Sequence, residues 1–592
     1  MSTSASAPAT PVRPQLRWGL AAYVVLVLAA MTLAIVIPKT GYILNISMQA
    51  TTYAIAVLGL TVVLGLCGQI NLAQAAFFGL GAYAVGIGQT EYGVNFWICL
   101  LLGMSLAALM GALLGASTLK LGGHYLAMVT ISFQQIVTLV LINWIPVTKG
   151  PDGVRAIPRP ALLADASNYL ALCIAVLAGC GYLLWRLRDM RLGRAMRAVR
   201  DNELAASVAG IDVYRTKVLA FAISAVLGGL GGGLFAGGFA YVSPDQFSFA
   251  ESVVFLTMVL LGGVSSPIGA AIGTGLLILI PEWLRFLKAI PGLYLAIYGT
   301  AVILIVLFMP DGIWGFIRGQ LDRFKRRAPA TGAADALTFS GGGSGAETVL
   351  ELRKLSKHFG GLKAVDEVDF TIRRGGVHAL IGPNGSGKTT TLNVLSGLYK
   401  ATSGSVLLNG QDVTNFPPHA RTIAGLGRTF QNIRLWRTMT ALENVVIGAE
   451  RPGSPVLEDK DALVARARAA LAFVGLDGRA DELVSGFSYG HQRAVEIARA
   501  LAADPVLLLL DEPGAGLNSS EKVELRNLLK RISARGLTIL IIDHDMTLVS
   551  EVAQHITVLN FGRRIADGYS ADVLRHPDVV AAYLGTAPDV AA

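Results

Sequence analysis

Cysteine is scarce in this sequence: Cys67, Cys99, Cys173 and Cys180 are the only four in 592 residues. All stand in apolar surroundings, so a disulfide framework and a cysteine-based metal site are both excluded, and packing is left as their role. Charge is sparse too. Asp, Glu, Lys and Arg make up 15% of the chain against 53% hydrophobic residues, and the mean hydropathy of +0.56 excludes a purely soluble protein. Within the long apolar runs ionisable residues are rarer still, which argues against a proton-relay pump driven by buried carboxylates. The net charge of +9 comes from basic residues gathered beside apolar segments, such as Arg186, Arg188, Arg191, Arg194, Arg197 and Arg200. That placement fits cytoplasmic flanks of membrane helices and speaks against nucleic acid as a partner.

What the sequence does hold in quantity is apolar runs. Residues 1–16 are Ser/Ala/Pro-rich and are expected to be disordered. Arg13 and Arg17 flank a run from Trp18 to about Pro38, long enough to cross a hydrocarbon core of ~30 Å. Because further spans follow, it reads as a retained first helix rather than a secretory signal. Apolar segments follow near 43–68, 71–89, 97–119, 124–146, 168–187, 214–241, 250–264, 266–285 and 292–310. The expectation is a polytopic α-helical membrane domain over 17–317 with about ten spans, those at 71–89 and 250–264 being short or glycine-interrupted and candidates for re-entry. Basic residues at both ends of this region, Arg13 and Arg17 before it and Arg318, Arg323, Lys325, Arg326 and Arg327 after it, put both ends in the cytoplasm. An even span count follows.

Gly228, Gly229, Gly231, Gly232 and Gly233 crowd one segment, as helices do where their backbones approach closely. Asn45, Gln69, Asn71, Gln74, Gln134, Gln135 and Asn143 are polar candidates for a solute path, with interhelical hydrogen bonding the favoured role for each. Residues 318–347 turn to Ala/Thr and then Gly341–Gly345, the composition of a flexible linker. From 348 to 592 strands and helices alternate, the pattern of an α/β domain with a parallel sheet.

That second domain carries a phosphate-binding pattern. Gly382, Pro383, Asn384, Gly385, Ser386, Gly387, Lys388 and Thr389, followed by Thr390, satisfy G-x-x-x-x-G-K-[ST] at every fixed position. An apolar strand at Val377–Ile381 enters the loop and a helix at Thr389–Leu395 leaves it. Gly385 and Gly387 let the backbone point successive N–H groups at phosphate oxygens, beside the positive end of the helix. Lys388 would reach the β- and γ-phosphates of ATP, and the Thr389 hydroxyl would ligate Mg²⁺. A second apolar strand, Val506–Leu510, ends in Asp511-Glu512. Alternation along a strand would send the two carboxylates to opposite sides, Asp511 as the Mg²⁺ partner of Thr389 and Glu512 as the general base. A third strand, Leu537–Ile542, ends in Asp543-His544, which would bring His544 near the γ-phosphate.

Residues 350–587 resemble the ATPase subunit of an ABC transporter, with the P-loop NTPase fold that this implies. Phe359 lies where the family stacks an aromatic ring on adenine, and Gln431 in Arg428-Thr429-Phe430-Gln431-Asn432 matches the Q-loop glutamine, a metal ligand and catalytic residue. Ser485–Gln492 contains the signature and Gly514–Asn518 the D-loop. Phe487-Ser488-Tyr489-Gly490-His491 departs from the general Leu-Ser-Gly-Gly-Gln, and Asn518 replaces the commoner aspartate. Both departures resemble the branched-chain amino acid (Liv-type) ATPases, as do Ala566-Asp567-Gly568 and Ala582–Gly585. In the first half, Gly65–Leu72, Phe77–Tyr83, Gly150–Val154 and Leu260–Gly269 are similar to the permeases of the same systems. Arg191–Asp212 resembles the coupling loop of ABC importers, with a short helix at Glu203–Gly210 to dock on the ATPase.

The resemblance implies a permease fused to its ATPase, importing branched-chain amino acids across the bacterial cytoplasmic membrane, with the ATPase domain in the cytoplasm. Urea, short amides or aromatic acids are the alternative cargoes. Ser488 and Gly490 would touch the ATP held by a partner ATPase, so the chain needs either a second copy of itself or a separate permease and a separate ATPase, the latter being favoured. An extracytoplasmic binding protein would deliver the small-molecule solute to a bundle surrounded by membrane lipid. The coupling helix and the Liv-like spans disfavour an exporter, and an ATP-gated channel would show itself by uncoupled downhill flux.

Overall fold

The computed structural model describes residues 41–117, 124–283, 311–322, 347–450 and 459–584, with isolated positions at 27–28, 31–32, 299–300, 303–304, 307–309, 337 and 339. The tail 1–16, nearly all of the run from Trp18 to Pro38, most of the segment 292–310 and most of the linker lie outside these residues. The chain forms two compact units, Met1–Met196 with Tyr214–Arg326, and Arg197–Val213 with Arg327–Ala592.

In the first unit the apolar runs become helices. Gly41–Leu66, Phe96–Ser117, Tyr125–Asn143, Ala166–Asp189 and Val213–Phe239 are each long and apolar enough to cross a membrane among the described residues. Gln74–Thr90 is a helix of 17 residues. Phe249–Gly262 and Pro267–Leu279 form a pair bent by 119°, a broken span or re-entrant loop, as the glycine-interrupted sequence there predicts. Gly263, at φ 117°, and Pro267 end one arm and start the next. The arms meet backbone to backbone, since a Cβ on Gly262 would stand 1.8 Å from the Gly269 carbonyl oxygen.

The crowded glycines do what their spacing suggests. A Cβ on Gly232 would lie 1.8 Å from the Phe78 oxygen, and one on Gly81 would lie 2.0 Å from the Gly229 oxygen. The helices Gln74–Thr90 and Val213–Phe239 therefore touch through their backbones. Two of the polar candidates tie the first of these helices to its neighbours. Gln74 donates to the carbonyls of Ala56 (2.8 Å) and Ser224 (3.1 Å), and Gln134 accepts from Ala76 N–H (2.7 Å) while donating to the Phe247 oxygen (2.7 Å). Asn71 serves the same knot, donating to Gln74 over 3.2 Å. Two short strands, β1 (Val154–Arg155) and β2 (Tyr241–Val242), pair antiparallel beside the helices.

The second unit has two sheets. The antiparallel one pairs β3 (Thr348–Phe359), β4 (Leu362–Arg373), β6 (Ser403–Leu408) and β7 (Gln411–Asp412) in the order β4-β3-β6-β7. The other contains β5 (Gly376–Ile381), β8 (Leu426–Arg428), β9 (Leu507–Asp511), β10 (Thr538–Ile542), β11 (His555–Asn560) and β12 (Arg563–Tyr569) in the order β12-β11-β5-β10-β9-β8. Within it β11, β5, β10, β9 and β8 run parallel and β12 is antiparallel. Both faces of the central strands are covered, which is why β9 and β10 are buried at every residue and read as unbroken apolar runs.

Candidate functional site

Four parallel strands deliver the expected site residues to one edge. The P-loop follows β5, Gln431 follows β8, Asp511 ends β9 with Glu512 next to it, and His544 comes just after β10. The carboxyl ends of adjacent parallel strands are where an open α/β sheet binds ligands, because loops and helix N-termini converge there.

The P-loop takes its shape from glycine. Gly382, Gly385 and Gly387 adopt φ of 152°, 79° and 98°, conformations costly to any residue with a Cβ. A Cβ on Gly387 would also stand 2.3 Å from the Ala364 oxygen. The helix Lys388–Leu395 begins immediately after. Lys388 Nζ donates to the carbonyls of Gly382 (2.8 Å) and Pro383 (2.9 Å), with Ser386 Oγ at 3.5 Å. Burial pushes the Lys388 pKa down, and the charges of Glu512 and Asp511 hold it up. Asn384, Gly385 and Thr389 are exposed, with Pro383 and Thr390 half-buried and Ser386 buried.

The two adjacent carboxylates have separate partners, though not for the reason strand alternation gives. Asp511 is the last residue of β9, whereas Glu512 has already left the strand with φ 44°. Asp511 is buried against Arg428, with Oδ2 at 3.4 Å from Nη2. Burial raises the Asp511 pKa against the lowering pull of Arg428, and burial likewise brings the Arg428 guanidinium down to about 10. Glu512 instead accepts a hydrogen bond from Gln431 Nε2 over 2.9 Å, and His544 Nδ1 stands 3.6 Å from the same oxygen. The His544 ring is otherwise largely exposed. At the far end of β3, the half-exposed ring of Phe359 meets Tyr399 edge-on at 5.4 Å, and Lys357 Nζ lies 4.9 Å from its centroid.

Oxygen donors dominate the centre. Asp511 Oδ1 is buried with no hydrogen-bond partner among the described residues, an acceptor that a cation would satisfy. The Thr389 hydroxyl and the Gln431 amide oxygen, at the same edge of the sheet, are oxygen donors of the kind that suits Mg²⁺.

Comparison with known proteins places both halves. Residues 42–309 match the family model of the branched-chain amino acid transport system permease component, and residues 365–515 match that of the ABC transporter. The high-affinity branched-chain amino acid transport ATP-binding protein BraF of Pseudomonas aeruginosa is 39% identical over 252 residues, covering 40% of this chain and 98% of that protein. The corresponding protein LivG of Escherichia coli is 38% identical over 253 residues, 41% of this chain and 99% of that protein. The permease protein LivM of Salmonella typhimurium is 34% identical over 305 residues, 47% of this chain and 71% of that protein. The chain belongs to the branched-chain amino acid ABC transporter family. It joins a permease and an ABC ATPase in one polypeptide.

The signature of this ABC transporter caps a helix. Ser488 is the N-cap of Tyr489–Ala502, its Oγ accepting from His491 N–H at 3.3 Å. Gly490 lies against Glu521, whose carboxylate would meet an added Cβ at 2.4 Å. Neither makes a hydrogen bond with residues 382–390 of its own chain among the described residues. Asn518, the departure in the D-loop, caps Ser519–Ala534 in a reciprocal box with Glu521, a task asparagine performs as well as aspartate.

Most of the segment that resembles a coupling loop, Arg197–Val213, belongs to the same compact unit as the ATPase. Its helix, Glu203–Val208, is capped by Asn202, which accepts from Ala205 N–H at 2.9 Å. Thr422 Oγ1 donates to the Val208 carbonyl (2.9 Å), Asp201 accepts from Thr438 N–H and Oγ1–H, and Arg197 pairs with Glu443 at 3.2 Å. Arg197, one of the basic residues assigned to a membrane flank, thus has a protein partner.

Sequence reasoning missed the layer behind these residues. Arg493, wholly buried, donates to the carbonyls of Phe430 and Gln431 and to Glu496, tying the signature helix to the glutamine loop. Arg428 donates to Asn393 (2.7 Å) and Ser396 on the P-loop helix as well as to Asp511. Their only trace in the sequence is an arginine inside an otherwise conventional motif.

Proposed function

We propose that this chain is the fused permease and ATPase of an importer that carries branched-chain amino acids across the bacterial cytoplasmic membrane at the expense of ATP. One observation carries the reading: Lys388, Asp511, Glu512, Gln431 and His544 converge at the carboxyl ends of neighbouring strands, in a chain whose other unit belongs to a permease family.

Residues 382–390 cradle the ATP phosphates, Lys388 contacts the β- and γ-phosphoryl groups, and the Phe359 ring stacks on adenine. Thr389, Asp511 and Gln431 would hold Mg²⁺, which would supply charge neutralisation for the reacting phosphates. Glu512 takes a proton from the attacking water, with Gln431 Nε2 and His544 fixing its orientation. Ser488 and Gly490, exposed or half-buried at a helix start, serve the ATP of a second ATPase. A separate permease and ATPase complete the assembly, and an extracytoplasmic binding protein supplies the solute. Closure of the two ATPases pulls the Glu203–Val208 helix through Thr422, Thr438 and Glu443 and turns the bundle from inward- to outward-facing.

The test is uptake into proteoliposomes holding the chain and its co-purified partners, with leucine, isoleucine, valine, urea, acetamide and benzoate as cargoes. ATP-dependent accumulation of the aliphatic amino acids is the expected result. Accumulation of urea, acetamide or benzoate instead would overturn the cargo, and efflux would overturn the direction.

A further inference from the structure

Three strands at one edge of the parallel sheet bring two imidazoles and a carboxylate together. β5 and β11 run parallel with His378 opposite His555, and β11 and β12 run antiparallel with Thr557 opposite Asp567. Alternation along β11 puts His555 and Thr557 on one face. The His378 and His555 rings are 5.0 Å apart there, and a ring nitrogen of each and an oxygen of Asp567 all fall within 4.8 Å of one another. The ATP chemistry does not use these groups. His378 stands four residues before Gly382, which puts it about 13 Å back along the chain from the P-loop at ~3.3 Å per strand residue.

The three side chains sit at different depths. His378 is 3% exposed, with its ring stacked on Phe370 and its Nε2 2.8 Å from Thr557 Oγ1. Thr557 Oγ1 in turn donates to Asp567 Oδ1 over 2.5 Å, so one hydroxyl holds the buried imidazole and the carboxylate toward each other. His555 and Asp567 lie on the solvent side, 35% and 27% of their side chains being exposed, which gives an ion a way in. His555 Nδ1 faces Asp567 Oδ1 at 3.9 Å and is itself buried with no hydrogen-bond partner among the described residues. Buried polar atoms are nearly always satisfied, and a bound ion accounts for one that is not. Arg564 Nη1 stands 3.9 Å from the other Asp567 oxygen and leaves Oδ1 to the cluster.

Two nitrogens and one oxygen are a poor match for Mg²⁺ or Ca²⁺, which take oxygen, and a good one for a borderline transition-metal ion. Bonds of about 2.1 Å to a tetrahedral Zn²⁺ set neighbouring donor atoms about 3.4 Å apart. The 3.9 Å pair reaches that spacing by a small rotation of its two partly exposed side chains. We propose that His378, His555 and Asp567 bind a divalent transition-metal cation of the Zn²⁺ type, apart from the Mg²⁺ of the nucleotide site. The ion clips β11 and β12 to β5, the strand that enters the P-loop, and its occupancy sets the stability of that edge of the sheet. The inference is independent of the cargo proposed above.

The experiment titrates the full-length chain with its co-purified partners, stripped with EDTA and free of nucleotide, with Zn²⁺ and, for its visible spectrum, with Co²⁺. Zn²⁺ is expected to raise the melting temperature of the ATPase unit by several degrees, and Co²⁺ to give the strong absorption of tetrahedral coordination. His555→Ala and Asp567→Asn alter side chains that solvent already reaches, and each is expected to weaken Zn²⁺ affinity about tenfold or more. Equal affinity in wild type and both variants overturns the inference, since histidines elsewhere would then hold the ion. Failure of the wild type to bind Zn²⁺ overturns it too, and so does displacement of Zn²⁺ by millimolar Mg²⁺, which would put the ion at the nucleotide site. If the variants fail to fold, the wild-type Co²⁺ spectrum decides, and the weak absorption of octahedral coordination overturns the inference.

Discussion

Gln431 donates its side-chain N–H to the Glu512 carboxylate over 2.9 Å, joining the loop after β8 to the end of β9. Glu512 is held there in a left-handed backbone conformation, φ 44°, at a cost of about 1 kcal/mol or more. Its amide N–H bonds the Ile542 carbonyl at 2.7 Å, so the neighbouring strand enforces that conformation.

Glu512→Gln keeps the shape of the side chain and loses its basicity. Steady-state ATP hydrolysis is expected to fall about 100-fold or more while nucleotide binding persists. Phosphate release and filter binding on the purified complex separate the two, and normal hydrolysis would remove the general-base role.

Lys388→Ala acts at the other end of the reaction. The ammonium that bonds the Gly382 and Pro383 carbonyls is the P-loop's own charge for the phosphates. Its loss should weaken ATP binding by about tenfold or more. Titration with a fluorescent ATP analogue checks this, unchanged affinity being the contrary result.

Arg428→Gln leaves the Asp511 carboxylate buried without its cation. Breaking such a pair costs about 3 kcal/mol, so the ATPase unit should melt several degrees lower than wild type. Thermal unfolding followed by tryptophan fluorescence measures it, and an unchanged melting temperature would mean that the pair is not formed.

Arg197→Glu sets a carboxylate against Glu443 in the coupling segment. Hydrolysis should continue while solute moved per ATP falls several-fold, because the contact that transmits closure has become repulsive. Parallel measurement of uptake and phosphate release gives the ratio, and an unaltered ratio would show that this pair carries no coupling.

His378 makes the ATPase unit sensitive to acid. Burial, and then the charge of His555, drive its pKa from 6.5 to about 4, with Asp567 opposing. The unfolded chain then binds more protons than the folded one between those values, so stability is full above pH 6.5 and falls as pH drops toward 4. At pH 5 the loss is about 2 kcal/mol. Melting curves at pH 7.5 and 5 should differ more for wild type than for His378→Gln, and equal differences would refute the assignment.

The ATP site was legible because its chemistry is local in the chain. Residues 382–389 carry the phosphate-binding pattern as consecutive residues, and a carboxylate at the end of an apolar run marks the edge of a sheet without reference to anything else. The membrane helices were legible for a similar reason, since crossing hydrocarbon demands a continuous apolar length.

By itself, then, the sequence determined the two-part architecture, the helices and the glycine-rich loop between strand and helix. The tertiary structure alone decided which side chains meet. That Gln431 finds Glu512 and Arg428 finds Asp511 follows from β8 pairing with β9, and that Arg197 finds Glu443 follows from the packing of its segment against one more than 200 residues later in the chain. Spacing encodes periodicity and loops. It does not encode the order in which strands assemble, because that order is set by burial of whole faces, a property of the packed chain and not of any stretch of it.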